Sequence, residues 1–218
     1  MKPLLAVFAH PDDEAFGPSG TLALWAKTRD IYLICVTNGD AGQNATSLTA
    51  ELGEIRKKEL LQSAEILGIK QVYFLGYKDG SLSNNLYHEV AAKIEQLVEE
   101  LRPEALLTFD HQGISGHLDH IFVSLVTTFI FRKTSGVKEL YLYGAREESL
   151  QKLRDSYFIY VPAGFRQSEI DLTVDISAVW LQKVAAIKAH ESQKKDGEEI
   201  LKNAENFPQT EYFKLLKK

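Results

Sequence analysis

Cysteine is almost absent. The 218-residue chain has one, Cys35, so no intrachain disulfide can form, and its place in the apolar run IYLICVT suits an inert thiol better than a nucleophile. Long apolar runs are missing as well. The opening LLAVFA is too short for a signal sequence and has no cleavage-like sequel. No segment approaches the roughly 18 apolar residues of a membrane span, so a cytoplasmic location is the default expectation. Long basic runs are also missing, and the net charge of −5 disfavours a nucleic-acid-binding face. No Pro/Gly/Ser-rich or highly charged linker interrupts the chain. With 44% hydrophobic residues it can bury one substantial core, and a single domain over 1–218 is expected. Phosphate-loop signatures fail too: GPSG has neither the Walker lysine pattern nor GxGxxG. Ser19 and Ser115 lie outside any GxSxG.

What is present alternates. LLAVFA (4–9), IYLICVT (31–37), QVYFL (71–75) and ALLTF (105–109) are short, continuous apolar runs bounded by turn residues, as strands covered on both faces require. Helical periodicity falls between them, over about 18–28, 51–67 and 85–102; the last carries Leu86, Val90, Ile94, Leu97, Val98 and Leu101 at helical spacing. This alternation predicts an α/β fold, a mostly parallel sheet with helices on both faces in three layers. Beyond residue 118 the pattern gives a helix to about 132, strands in KELYLYG and YFIYV, an amphipathic helix in ISAVWLQKVAAIKAH, and a charged, helical tail over 195–218.

Open α/β sheets bind ligands beyond the carboxyl ends of their strands. There the first strand runs into AHPDDEAFGPSG, and the fourth into DHQGISGHLDH (110–120), with three histidines and two aspartates. Three consecutive acids repel one another unless a cation neutralises them. Histidine nitrogen with carboxylate oxygen suits zinc, and three protein ligands plus a water describe a catalytic site. A solvated loop whose acids favour a helix N-terminus is the plainer reading of HPDDE alone; a second His/Asp loop on the same edge argues for a metal.

AHPDDE, TNGDAG, EIRKKEL, LGYKDGSL and GHLDH occur in that order over about residues 4–130. Together they resemble the LmbE/PIG-L family of zinc-dependent N-deacetylases, which implies a Rossmann-like, LmbE-like fold and removal of an acetyl group from an N-acetylglucosamine-type amino sugar or its glycoconjugate. The resemblance implies one Zn2+ per chain, held by His10, Asp13 and His120. It makes Asp12 the general base toward the metal-activated water, and His117 the group that stabilises the oxyanion or protonates the leaving amine. Asp119 would orient a histidine. It also offers Arg56 and Asp79 as substrate-binding residues.

Read without the family, Arg56 and Glu59 fall inside the apolar stripe Leu52, Ile55, Leu60, Ala64, Ile66, Leu67, where ions are costly unless paired with each other or facing a cleft. Asp79 in KDGSL is otherwise a turn former. His190, on a face with Val179, Trp180, Val184 and Ile187, reads as a core histidine, although HESQ fits a His-x-Ser-Gln stretch of the family. Glu14, Asp40, Asp110 and His111 carry no assigned role. The expected partner is a small N-acetylated sugar, and a homo-oligomer is compatible with the sequence. The rival readings are an amidase of thiol–sugar conjugates, a metal-dependent phosphoesterase and an inactive sugar-binding module.

Overall fold

A computed structural model describes residues 2–41, 49–150 and 160–218, with side chains at 49 and 50 left aside. Among the described residues, seven strands form one sheet in the order β3-β2-β1-β4-β5-β7-β6. They are β1 (Leu4–Phe8), β2 (Ile31–Thr37), β3 (Gln71–Tyr77), β4 (Ala105–Phe109), β5 (Glu139–Gly144), β6 (Leu172–Asp175) and β7 (Thr210–Lys217). The first five are parallel, and β7 runs antiparallel to both β5 and β6.

β1 shows why continuous apolar runs were needed. Leu4, Ala6 and Phe8 enter one core, Leu5 and Val7 the other, and all are buried. On the first face lie α2 (Ser19–Ala26), α3 (Thr49–Leu67) and α7 (Trp180–Ala189); on the second lie α4 (Tyr87–Leu101) and α6 (Leu118–Lys133). The shorter α1 (Asp13–Phe16) and α5 (Gly113–Gly116) follow β1 and β4, and α8 (Lys194–Ala204) precedes β7. No helix among the described residues is long and apolar enough to cross a membrane.

Two expectations are corrected. The tail is helical only to Ala204, and Thr210–Lys217 is strand β7, with Glu211 and Phe213 buried and Tyr212 half-buried between them. The period is two, hidden because one inward residue is a carboxylate. Glu211 accepts from Lys183 Nζ at 2.8 Å and from the Gly20 and Thr21 N–H groups at 2.9 and 2.7 Å. Its carboxylate thereby satisfies N-terminal amides of α2, whose own N-cap position, Pro18, supplies no side-chain cap. On α3, Ile55 is more than a third exposed while Arg56 is buried. Most of YFIYV lies outside the described residues.

The chain reverses direction of sheet growth between β1 and β4: β2 and β3 are added on one side of β1, β4 and β5 on the other. The loops after β1 and β4 therefore leave side by side, over the crevice where such sheets place ligands.

Candidate active site

The loop after β1 delivers His10, Asp12 and Asp13. Asp13 opens α1, and its Oδ2 accepts from the N–H groups of Ala9 and His10 at 3.0 and 2.8 Å, folding the turn tightly against the strand end. The loop after β4 delivers the other half. His117 is the N-cap of α6, its Nδ1 accepting from Asp119 N–H, so that His117, Asp119 and His120 all sit on the first turn of that helix.

His10 Nδ1 lies 3.0 Å from His120 Nε2 and 3.7 Å from Asp13 Oδ2, and His120 Nε2 lies 3.1 Å from Asp13 Oδ1. The outer nitrogens fix the tautomers. His120 Nδ1 donates to Gly113 O at 3.1 Å, which leaves Nε2 with a lone pair. His10 Nε2 lies 3.1 Å from Asp79 Oδ1 and 3.3 Å from Asp119 Oδ2, so its proton belongs there and Nδ1 carries the lone pair. Two lone pairs and a carboxylate thus point at one spot, and something positive must sit between them. Burial disfavours the His10 cation, yet hydrogen bonds to Asp119, Asp13 and Asp79 hold its pKa well above 6.5. Burial would likewise raise Asp13, but the neighbouring His120 and the hydrogen bonds from His10 and His120 hold it well below the usual carboxylate range.

The same donor set fits a divalent ion. Bonds of about 2.0–2.2 Å in a tetrahedral arrangement place neighbouring ligand atoms roughly 3.3–3.6 Å apart, close to the spacings seen. His117 is adjacent, with ring centroids 4.7 Å from His10 and 5.1 Å from His120, and a third imidazole nitrogen lies within 4.8 Å of theirs. Burial, then the charges of His10 and His120, push the His117 pKa down, so that ring is neutral. With Nδ1 accepting from Asp119, the proton of the neutral ring is on Nε2.

Asp12 stands apart from this cluster. Arg56 Nη2 donates to Asp12 Oδ2 and to Pro11 O, and Nη1 to Gly39 O, each at 2.8 Å. Gly39 is required here: at φ +63° a Cβ would come within 2.8 Å of the Arg56 guanidinium carbon and of Pro11 Cδ. Asp12 itself has φ 132°, a conformation costing a non-glycine residue about 1–3 kcal/mol. Burial pushes its carboxyl up to about 6, against the lowering effect of Arg56.

A family model described as PIG-L, GlcNAc-PI de-N-acetylase, matches residues 5–131, more than half of the chain. The chain belongs to the PIG-L family. Its relatives include the 1D-myo-inositol 2-acetamido-2-deoxy-alpha-D-glucopyranoside deacetylase of Saccharomonospora viridis, 31% identical over 97% of this chain and 94% of the relative. The N,N'-diacetylchitobiose deacetylase of Pyrococcus horikoshii superposes with a TM-score of 0.77 at 21% identity, covering 99% of this chain and 84% of that one. The fold is not confined to deacetylases. A 4-carboxy-2-hydroxymuconate hydratase of Pseudomonas putida superposes at 0.74 with 19% identity, over 99% of this chain and 96% of the other.

In this PIG-L chain the residues singled out from sequence come together: His10, Asp13, Asp79, His117, Asp119 and His120 form one contiguous cluster, and the Asp12–Arg56 pair lies beside it. Two details differ from the sequence reading. Arg56 does not pair with Glu59, which instead accepts from the N–H and Oγ of Ser192 at 2.8 and 2.7 Å. Both terminal nitrogens of Arg56 already have protein acceptors. Sequence reasoning also missed Asp40, whose Oδ1 accepts from Asp79 N–H at 2.9 Å and sets the turn that presents Asp79. It missed the partnership of Glu14 with Ser63 and His190, for which the distant strings HPDDE and HESQ were the only signal.

Proposed function

We propose that the protein is a zinc-dependent amide hydrolase that removes the acetyl group from an N-acetylglucosamine-type sugar or its glycoconjugate. One observation carries this reading: the lone pairs of His10 Nδ1 and His120 Nε2 converge with the Asp13 carboxylate on one spot, beside a separately held Asp12. His10, Asp13 and His120 are the residues we assign to the ion, one per chain. Bound there, zinc would polarise the amide carbonyl and favour ionisation of water at neutral pH.

The protein's own groups do the rest. Asp12 removes the proton from the attacking water and returns it to the amine nitrogen as the C–N bond breaks and acetate is released. A carboxylate raised to about 6 is still ionised at neutral pH yet basic enough to hold a proton in transit. His117, neutral and protonated on Nε2, donates to the carbonyl oxygen as negative charge develops there. Asp119 accepts the Gly80 N–H at 2.8 Å and, with Asp79, fixes the His10 tautomer. The second carboxylate oxygen of Asp79 is the acceptor we assign to a sugar hydroxyl. Arg56 holds Asp12 and reaches substrate only through it. The deacetylase names of the relatives support the acetamido sugar as the substrate class, which the fold alone, shared with a hydratase, does not decide.

The test is a panel of N-acetylglucosamine, its inositol conjugate and N,N'-diacetylchitobiose, assayed for released acetate, with metal content measured on the same preparation and p-nitrophenyl phosphate as a control. Acetate release that needs zinc is expected. Phosphatase turnover without acetate release from any N-acetyl sugar would overturn the reading.

A further inference from the structure

We propose that Glu14, Ser63 and His190 form a buried brace that holds the Asp12 backbone in place, making Glu14 and His190 positioning residues for the reaction. The inference rests on the reading of Asp12 as the base. Glu14 is the third acid of the opening triplet and touches neither the ligand cluster nor open solvent. Its Oε2 accepts the Asp12 N–H at 3.2 Å, and its Oε1 accepts from Ser63 Oγ at 2.6 Å and from His190 Nε2 at 2.8 Å. Glu14, Ser63 and His190 are each at most 1% exposed.

Three facts give these contacts a purpose. Asp12 occupies a left-handed conformation (φ 132°, ψ −23°) that persists only where the surroundings impose it. Its backbone is gripped at both ends, since Ala15 and Phe16 N–H groups donate to Asp12 O at 2.9 and 2.8 Å while Glu14 takes its N–H. The grip is also anchored on one surface. Helix α3 presents Arg56, Glu59 and Ser63 in succession along one side: Arg56 to the Asp12 carboxylate, Ser63 to Glu14, and Glu59 to Ser192 of the same turn that carries His190. The polar residues within that apolar stripe are therefore a single seam behind Asp12.

Core filling does not account for His190. Its Nδ1 is buried without a hydrogen-bond partner among the described residues, so its polarity is compensated only at Glu14. An apolar side chain would fill the space without that cost. Burial acts to lower the His190 pKa, but the charge of Glu14 and its hydrogen bond raise it above 6.5, as a charge-assisted contact requires.

The test compares His190→Ala, His190→Gln and Ser63→Ala in wild-type and Asp12→Asn backgrounds, with kcat, KM, bound zinc and melting temperature measured for each. His190→Ala should lower kcat by roughly 10- to 100-fold, the scale of a misplaced general base, with KM and zinc content unchanged. His190→Gln, whose Nε2 can still donate to Glu14, should recover most of the loss. In Asp12→Asn, removing His190 should cost nothing further, because groups that act through one another are not additive. A crystal structure of His190→Ala should show Asp12 relaxed to negative φ. Wild-type kcat in folded His190→Ala would overturn the proposal, and so would an equal fractional loss in the Asp12→Asn background or a loss that tracks zinc. If His190→Ala does not fold, His190→Gln and Ser63→Ala decide by the same criteria. Full activity in Asp12→Asn alone would refute the base assignment itself, whatever the His190 variants do.

Discussion

Removing Arg56 separates two readings of that residue. If it serves substrate directly, as its family position implies, Arg56→Ala should raise KM in a protein of ordinary stability. The geometry demands something else. Arg56 is 4% exposed, its partner Asp12 is nearly as buried, and truncation leaves the Asp12 carboxylate and the carbonyls of Pro11 and Gly39 without their donor. Breaking a buried ion pair from one side costs about 3–5 kcal/mol, because the remaining charge stays in a poorly solvating site. For a chain of this length each kcal/mol corresponds to roughly 2–4 °C, so the melting temperature should fall by about 6–20 °C. kcat should fall as well, since the carboxylate loses the group that aims it. Arg56→Lys keeps the charge but replaces a planar fork with one ammonium, which cannot reach three acceptors, and should be intermediate. Scanning fluorimetry with and without zinc, beside Michaelis–Menten kinetics on an N-acetylated sugar, makes the comparison. A melting temperature within about 2 °C of wild type together with a raised KM would refute the argument and restore Arg56 to the substrate.

Replacing His10, Asp13 or His120 by alanine should abolish zinc binding and activity together, whereas Asp12→Asn should retain zinc and lose roughly 10²-fold or more in turnover; elemental analysis of each variant checks the division. Asp79→Ala removes an acceptor 3.1 Å from His10 Nε2, and loss of such a supporting group typically weakens metal affinity by about 10- to 100-fold. A zinc titration in which Asp79→Ala matches wild type, with only KM changed, would leave it a substrate residue alone. The His190–Glu14 pair makes stability depend on pH. Because the folded pKa of His190 is raised, its contribution is complete below the ordinary 6.5 and lost as pH rises through the folded value. Urea unfolding at about pH 5 and about pH 9 should show the difference between wild type and His190→Gln shrinking on the alkaline side.

The strands around the site were legible because each is buried on both faces and therefore uniformly apolar, as Leu4–Phe8 and Ala105–Phe109 are. The same physics made the two loops legible. Once the strand ends are placed, sheet topology brings His10 to His120 across 110 residues. β7 was not legible, because its period-two pattern includes Glu211, and a buried acid paired with Lys183 looks in sequence like a surface position. The Glu14 brace was hidden for a related reason. His190 alone looks like a core residue and Glu14 like a helix-capping acid, and only their contact across 176 positions gives either a purpose. Arg56 was legible as an ion that needed a partner, and the partner was Asp12 in the loop after β1, not Glu59 on its own helix.

Glu211 also bears on the order in which the molecule can be completed. Helix α2 begins at residue 19, yet the carboxylate that satisfies its Gly20 and Thr21 amides belongs to residue 211, as does one of the two acceptors of Lys183. During synthesis the parallel half of the sheet emerges first, and the start of α2 must wait for almost the whole chain before its amides find their partner. The antiparallel strand thus serves as a closing clasp on the first turn of α2.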